Sequence, residues 1–178
     1  MNKFILLVLV VCSFVFGGCA RGTYTTHVPV SYQSRVITIS VEGFEPIDAQ
    51  EIYTAIGTWN LALNRNIQLV LSDSTHPMFR IIKVTSEDPI VDQADPRSIA
   101  FAVNKSTTYV VLDRLGTQRL EMIMLHEISH MLGAGHTKEH GLMFYQYRPV
   151  DYKCVDRNAV EQVARVRGLD VETMNWCY

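Results

Sequence analysis

The segment from Leu120 to His136 constrains the fold of this 178-residue chain more than any other part of it. Up to Gly133 the segment is apolar on nearly every side, which predicts a helix at the centre of a domain rather than one lying on its surface. Three polar rings and one carboxylate interrupt it, and they follow a regular spacing. Because polar groups are costly to bury unless they are paired or bind something, we expect this helix to carry a site.

The spacing of the histidines is the spacing of metal ligands. His126 and His130 are four residues apart and therefore lie on one face of a helix, one turn above the other, so both rings reach one ion. Gly133 favours the left-handed conformation that ends a helix, so that the chain can reverse and bring back His136 as a third ligand. Three neutral imidazoles with an open fourth position form the pattern of a catalytic zinc site. Glu127 lies off the ligand face and can approach the open side of the metal without binding it.

This string, HEISHMLGAGH, resembles the metzincin signature HExxHxxGxxH and agrees with it at every fixed position. The resemblance implies a zinc-dependent endopeptidase that hydrolyses peptide bonds of proteins in or outside the cell envelope. In such enzymes Glu127 would be the general base, taking a proton from water and returning it to the leaving amine. Only residues 126–147 carry sequence specificity, although the order of elements is similar from Arg35 to Gly168.

A second resemblance follows the third histidine. Met143 stands where metzincins place a methionine turn beneath the metal, as a soft apolar floor rather than as a ligand. Tyr145 is two residues further on, where related enzymes place a tyrosine near the zinc, and it is a candidate for stabilising the transition state. The string LMFYQY and Thr137 are most similar to matrixins. That family binds extra ions in the loop equivalent to residues 86–98. Here the acids Glu87, Asp88, Asp92 and Asp95 form no obvious ligand set for structural zinc or calcium, so we expect a solvated acidic loop and calcium stays an unsupported alternative.

Other interpretations remain open at this stage. Gluzincins take their third ligand from a later helix, where Glu161 stands, although the position of Gly133 favours His136. A protein from a different class, a catalytically silent zinc-binding envelope lipoprotein that acts as a binding or assembly module, would have the same fold and ligands. Glu127 argues against that class, because a site that only binds metal has no need of a carboxylate there.

The N-terminus has the pattern of an export signal. Lys3 precedes an apolar run, residues 4–16, that is too short to span a bilayer as a permanent helix. The residues Phe16 to Cys19 resemble the lipobox of bacterial lipoproteins, which implies a signal over residues 1–18, a lipidated Cys19 and a tether to Ser34. The alternative is cleavage after Ala20 and simple secretion. We therefore expect an exported protein, lipid-anchored at the outer membrane or in the periplasm, with a secreted form as the rival.

Cysteine parity supports lipidation. Once the signal is removed, Cys19, Cys154 and Cys177 remain; the last two can pair in an oxidising compartment, which leaves Cys19 as a spare thiol that lipidation would remove.

Patterning along the rest of the chain predicts a single α+β domain over residues 35–178. It consists of a mixed twisted sheet of about five strands with three helices, similar to zincins. Strands are expected at residues 35–43, 67–71, 79–84, 99–103 and 108–113. A capping box of Asp48 and Glu51 should begin the first helix, and Asp156 and Gly168 should begin and end the third.

Composition limits the partners. The chain has 16 basic and 18 acidic residues, a net charge of −2, without the basic clusters that track phosphates. We therefore expect a protein or peptide substrate rather than nucleic acid. Nothing in the sequence indicates an oligomer, so a monomer is the default.

Overall fold

The computed structural model describes residues 35–138, 140–144 and 154–177. The proposed signal, the tether with Cys19, and Tyr145 lie outside this part of the chain, so their predicted roles are not tested by the structure. No helix in the described ranges has the length and apolar character needed to cross a membrane.

The predicted α+β fold with five strands and three helices is confirmed. The elements follow the chain in the order β1 (Val36–Glu42), α1 (Pro46–Leu63), β2 (Gln68–Leu71), β3 (Phe79–Val84), β4 (Ala100–Asn104), β5 (Thr107–Val111), α2 (Leu120–Leu132) and α3 (Arg157–Arg167). The strands form one sheet in the order β2-β1-β3-β5-β4. All neighbouring pairs are parallel except β4 and β5, which form an antiparallel hairpin.

Helices α1 and α2 pack against each other and bury the main core between themselves and the sheet. One face of α1 is buried, with Ile52, Trp59 and Leu63 fully inaccessible. Trp59 does more than fill space, since its indole Nε1 donates a hydrogen bond to the main-chain oxygen of Leu125, 2.9 Å away. A buried indole N–H needs such a partner, and this bond fixes α2 against α1 at the level of the histidine pair.

The predicted start of α1 is wrong. The helix begins two residues before Asp48, at Pro46, whose missing N–H costs nothing in a first turn. Glu51 does not close a capping box. Its carboxylate instead accepts a hydrogen bond from the main-chain nitrogen of Glu121, 3.0 Å away in the first turn of α2. A glutamate on α1 therefore satisfies one of the free N–H groups at the start of the histidine-bearing helix.

The segment over residues 86–98 lies on the face of the sheet opposite helices α1 and α2 and contains a short 3-10 helix, Pro89–Gln93. Asp88 begins this helix by accepting a hydrogen bond from the nitrogen of Ile90. A second, smaller apolar cluster holds the segment on β3, β4 and β5, built on Val84, Val91, Phe101 and Val111. The expected loop is thus packed through an apolar contact as well as surrounded by solvent.

The C-terminal helix begins and ends where the sequence predicts. Asp156 accepts a hydrogen bond from the nitrogen of Ala159, and Gly168 ends α3 in the left-handed region, with φ 64°. Cys154 and Cys177, the pair expected from cysteine parity, have their sulfur atoms at bonding distance, 2.13 Å. The disulfide joins the start of α3 to the last described residues.

Candidate metal centre

The middle of the molecule contains the polar residues that interrupt the apolar helix. α2 buries His126 and Glu127 to 8% and 3% exposure, and His130 is half-buried one turn further along. An apolar helix brings these groups into the interior because its remaining side chains, such as Met124 and Ile128, are fully buried. Because the surrounding core removes these polar groups from water, they need hydrogen-bond partners or a bound ion.

The three histidines predicted as ligands come together at one point. The Nε2 atoms of His126 and His130 are 3.1 Å apart, those of His130 and His136 are 3.1 Å apart, and those of His126 and His136 are 3.2 Å apart. Among the described residues, these three form the group of side chains that can hold a metal ion.

Main-chain carbonyls orient two of the rings. His126 Nδ1 lies 2.6 Å from the oxygen of Leu142, and His130 Nδ1 lies 2.9 Å from the oxygen of Ala134. A carbonyl oxygen can only accept, so each Nδ1 carries the proton and donates it. In a neutral imidazole the other nitrogen then presents a lone pair, so both Nε2 atoms are free to coordinate.

The surroundings keep these rings neutral. Burial lowers the pKa of His126 to about 4, and burial also lowers the pKa of His136. Burial, followed by the neighbouring His126, lowers the pKa of His130 well below its ordinary value. Lone pairs of neutral rings facing one another at 3.1 to 3.2 Å repel unless a cation lies between them, so the arrangement suits a bound metal ion.

The third ligand reaches the cluster through the end of α2. Gly133 adopts φ 107°, and the nitrogens of Gly133 and Ala134 bond back to the oxygens of His130 and Ser129 at 2.9 Å each. This paired pattern is a Schellman motif, which reverses the chain after a helix and requires a left-handed residue. The reversal predicted from Gly133 is therefore present, and it leads directly to His136.

Met143, predicted to form an apolar floor beneath the metal, is buried beside this reversal with 1% of its surface exposed. Its main-chain oxygen accepts a hydrogen bond from the nitrogen of Thr137, 2.8 Å away. The turn that contains Met143 is closed by a bond from the nitrogen of Phe144 to the oxygen of Gly141. This turn also supplies the Leu142 carbonyl that orients His126, so it holds both the first ligand and the chain next to the third.

Asp156 fixes the turn from outside, a role the sequence did not indicate. While one carboxylate oxygen caps α3, the other accepts a hydrogen bond from the nitrogen of Leu142, 2.5 Å away. The approach is so close that a Cβ on Gly141 would lie 2.7 Å from that oxygen. Gly141 is therefore the residue that lets the carboxylate reach the turn.

Helix α3 makes two further contacts that sequence reasoning missed. Gln162 Oε1 accepts a hydrogen bond from the nitrogen of Gly135, 3.0 Å away, and Arg167 donates to the oxygens of Leu132 and Met131 at the end of α2. The only available signal was that both residues are polar on a helix whose opposite face is apolar, which does not identify their partners. Together they hold the end of α2 and the returning chain.

One glutamate and one histidine outside the cluster have different surroundings. Glu161 accepts a hydrogen bond from Arg157 Nε, 2.7 Å away on the surface of α3, and does not belong to the ligand group. His140 is exposed, with its ring 5.1 Å from that of Phe144.

Comparison with models of known protein families finds no match for this chain. Comparison with the sequences of characterised proteins finds no match either.

Proposed function

We propose that this protein is a zinc-dependent endopeptidase of the metzincin type, closest to matrixins. The observation that carries the proposal is the meeting of three imidazole Nε2 atoms within 3.2 Å of one another, with a buried glutamate on the helix that supplies two of them. The order His126, Glu127, His130, Gly133, His136 agrees with the metzincin signature at each fixed position.

The residues fit zinc. Imidazole nitrogens bind zinc at about 2.0–2.1 Å in tetrahedral sites, which requires nitrogen atoms about 3.3 Å apart. The separations of 3.1 and 3.2 Å between the Nε2 atoms lie close to that value. Neutral nitrogen ligands whose outer nitrogens donate to carbonyl groups are typical of zinc centres. A set of three such ligands leaves a coordination position for water or substrate.

When bound, zinc polarises a peptide carbonyl and lowers the pKa of water toward about 7. The protein supplies the proton transfer. The Glu127 carboxylate takes a proton from the attacking water, whose oxygen adds to the carbonyl carbon. As the C–N bond breaks, the same carboxyl group delivers the proton to the leaving nitrogen. Burial of Glu127 keeps bulk water from competing for this proton.

The test separates metal binding from catalysis. The purified chain would be loaded with zinc, assayed for metal content, and incubated with a diverse peptide mixture whose products are read by mass spectrometry. We expect one zinc per chain and cleavage that a chelator abolishes. Glu127→Gln should keep the zinc and lose at least about a hundredfold in kcat, the lower range for a general base. Ser129→Ala is the matched control on the same helix, because its hydroxyl bonds only to the oxygen of Leu125 among the contacts described.

Two results would contradict the proposal. A Glu127→Gln variant with normal turnover would remove the assigned base. A folded protein that holds zinc but cleaves no peptide would favour a catalytically silent zinc module instead.

An extended substrate is proposed to bind along β4, adding a strand to the sheet. β4 forms one edge of the sheet, next to β5. Ile99 and Val111 are a hydrogen-bonded pair, because the nitrogen of Val111 donates to the oxygen of Ile99. Hydrogen-bonded and non-hydrogen-bonded pairs alternate along an antiparallel ladder, so the main-chain groups of Ala100 and Ala102 point away from β5, to the open side. Phe101 is buried and stacks on Tyr109 at 5.5 Å, so replacing it would disturb packing as well.

Ala102→Pro tests this edge without removing the buried Phe101 side chain. Proline there removes an outward N–H and no bond of the β4–β5 ladder. We expect KM to rise for long peptides more than for dipeptide-sized ones, because short substrates make few main-chain contacts. Equal changes for both lengths would argue against strand addition.

Export and lipidation through Cys19 are part of the same proposal. Cys19→Ser should release the protein from the membrane fraction of the producing cell, and the mass of the mature wild-type chain should contain added acyl groups. A mature chain that begins after Ala20 would support secretion instead.

A further inference from the structure

We propose that Gln162 is a positioning residue for the third metal ligand, His136. The inference rests on the proposed metal centre but not on peptidase activity. His130 is oriented within its own helix end and His126 by the turn that follows, whereas the ring of His136 is carried by a short stretch of returning chain. What fixes that stretch determines whether the third nitrogen stays at the metal.

Two hydrogen bonds hold the main chain on either side of His136. On the C-terminal side, the nitrogen of Thr137 donates to the oxygen of Met143, 2.8 Å away. On the N-terminal side, the nitrogen of Gly135 donates to Oε1 of Gln162, 3.0 Å away. The first is a main-chain contact that any sequence can make. The second depends on one side chain from a helix 27 residues further along the chain.

The amide of Gln162 is itself held in place. Its Nε2 donates to Oδ1 of Asn158, 2.8 Å away and one turn earlier on α3. This bond distinguishes the two ends of the amide, so that the oxygen rather than the NH₂ group faces Gly135. Asn158 and Gln162 therefore form a directed pair that presents one acceptor to the returning chain.

The helix that carries this pair is fixed relative to the ligands. Val160 and Val163 are completely buried in the core, and Arg167 bonds the last carbonyls of α2. α3 is thus anchored to the helix that supplies the first two ligands. Through Gln162, that anchoring extends to the third.

Glycine at 135 makes the contact matter. A metal ion binds three imidazoles more tightly when all three are already held in position. Glycine gives the chain more conformational freedom than any other residue. Without an acceptor for its nitrogen, the stretch between Ala134 and His136 has more conformations to lose on binding metal. Weaker metal affinity is the expected result.

The experiment compares Gln162→Met, which keeps the length of the side chain but cannot accept this bond, with Gln162→Glu, which can. Glu161→Met is the matched control, because it makes the same replacement one residue earlier on a side chain that bonds to Arg157. Zinc affinity of each full chain is measured by competition with a chromophoric chelator. The visible absorption of bound Co²⁺ reports the geometry of the ligands, and circular dichroism of the metal-free chains checks folding.

We expect Gln162→Met to bind zinc about tenfold more weakly, within the range for loss of an outer partner, and to change the Co²⁺ spectrum. Gln162→Glu should restore both, and Glu161→Met should resemble the wild type. If Gln162→Met fails to fold, Asn158→Ala, which only releases the amide, should give a smaller loss in the same direction.

Wild-type affinity and spectrum in folded Gln162→Met would overturn the inference, as would a Gln162→Glu variant as weak as Gln162→Met. A wild-type chain that binds neither zinc nor Co²⁺ would overturn both this inference and the proposed centre. A wild-type chain that binds zinc without cleaving peptides would contradict the peptidase alone and leave the Gln162 comparison valid.

Discussion

Replacement of Asp156 by alanine should be among the most damaging single changes outside the apolar core. The carboxylate accepts two main-chain hydrogen bonds, from Ala159 at the start of α3 and from Leu142 in the turn below the ligands. Loss of a helix cap costs about 1 kcal/mol. Loss of a charged acceptor from a half-buried N–H costs about 2 kcal/mol more. We therefore expect the free energy of unfolding to fall by about 3 kcal/mol.

The assay is urea unfolding of the metal-free, oxidised chain, followed by tryptophan fluorescence, which reports the fully buried Trp59 together with the partly buried Trp176. For a domain of this size the expected loss corresponds to a Tm lower by about 10 °C. Asp170→Ala is the matched control, because Asp170 also caps a short helix, accepting from the nitrogen of Glu172, and its hydrogen bonds within the described part of the chain stay among residues 170–173. It should cost no more than about 1 kcal/mol.

The same pair of variants separates stability from the site. Asp156→Ala releases Leu142, whose carbonyl orients His126, so affinity for the proposed zinc ion should also fall, whereas Asp170→Ala should leave that affinity unchanged. Losses of stability that differ by less than about 1 kcal/mol between the two variants would refute the reasoning, since the second hydrogen bond would then contribute little.

Three further changes test other contacts by the same unfolding measurement. Gly141→Ala should cost about 2 kcal/mol, because its Cβ would lie 2.7 Å from the Asp156 carboxylate and force the turn outward; a stability equal to wild type would mean that the turn moves freely. Glu51→Ala should cost about 1 kcal/mol by removing the acceptor for the nitrogen of Glu121, while Glu51→Gln should cost less because an amide oxygen still accepts; equal losses would exclude the bond. Reduction of the disulfide should cost about 3 kcal/mol, since the bond joins cysteines 23 positions apart in the sequence, and a loss below about 1 kcal/mol would contradict the chain-entropy argument.

The central part of the site was predictable because its determinants are local. Histidines four residues apart share a helix face by geometry alone, and Gly133 permits the reversal whatever surrounds it. The sheet was predictable for a similar reason, since alternation and turn residues identify strands without reference to distant parts of the chain. Five strands and three helices follow from these short-range patterns.

The contacts that position the site were not predictable because they join distant residues. Glu51 has the spacing of a local cap but bonds to a nitrogen 70 residues away, so the local rule gave the wrong partner. Asp156 was recognised as a cap, but its second oxygen acts across a tertiary contact that has no sequence pattern. Gln162 bonds to a glycine nitrogen 27 residues earlier. The first bond depends on how α1 packs on α2, and the other two depend on how α3 packs, neither of which periodicity determines.

The bonds that orient the histidines end mostly on main-chain atoms. Leu142 and Ala134 contribute their carbonyl oxygens to the two ligand rings, and Met143 contributes its oxygen to the chain beside the third. Every amino acid carries that oxygen, so the side chains at these positions can change during evolution without altering the bonds. Selection on the centre would then act on the identity of very few residues. Such a centre can persist while the surrounding sequence diverges, and relatives of this protein would share its backbone path more closely than its residues.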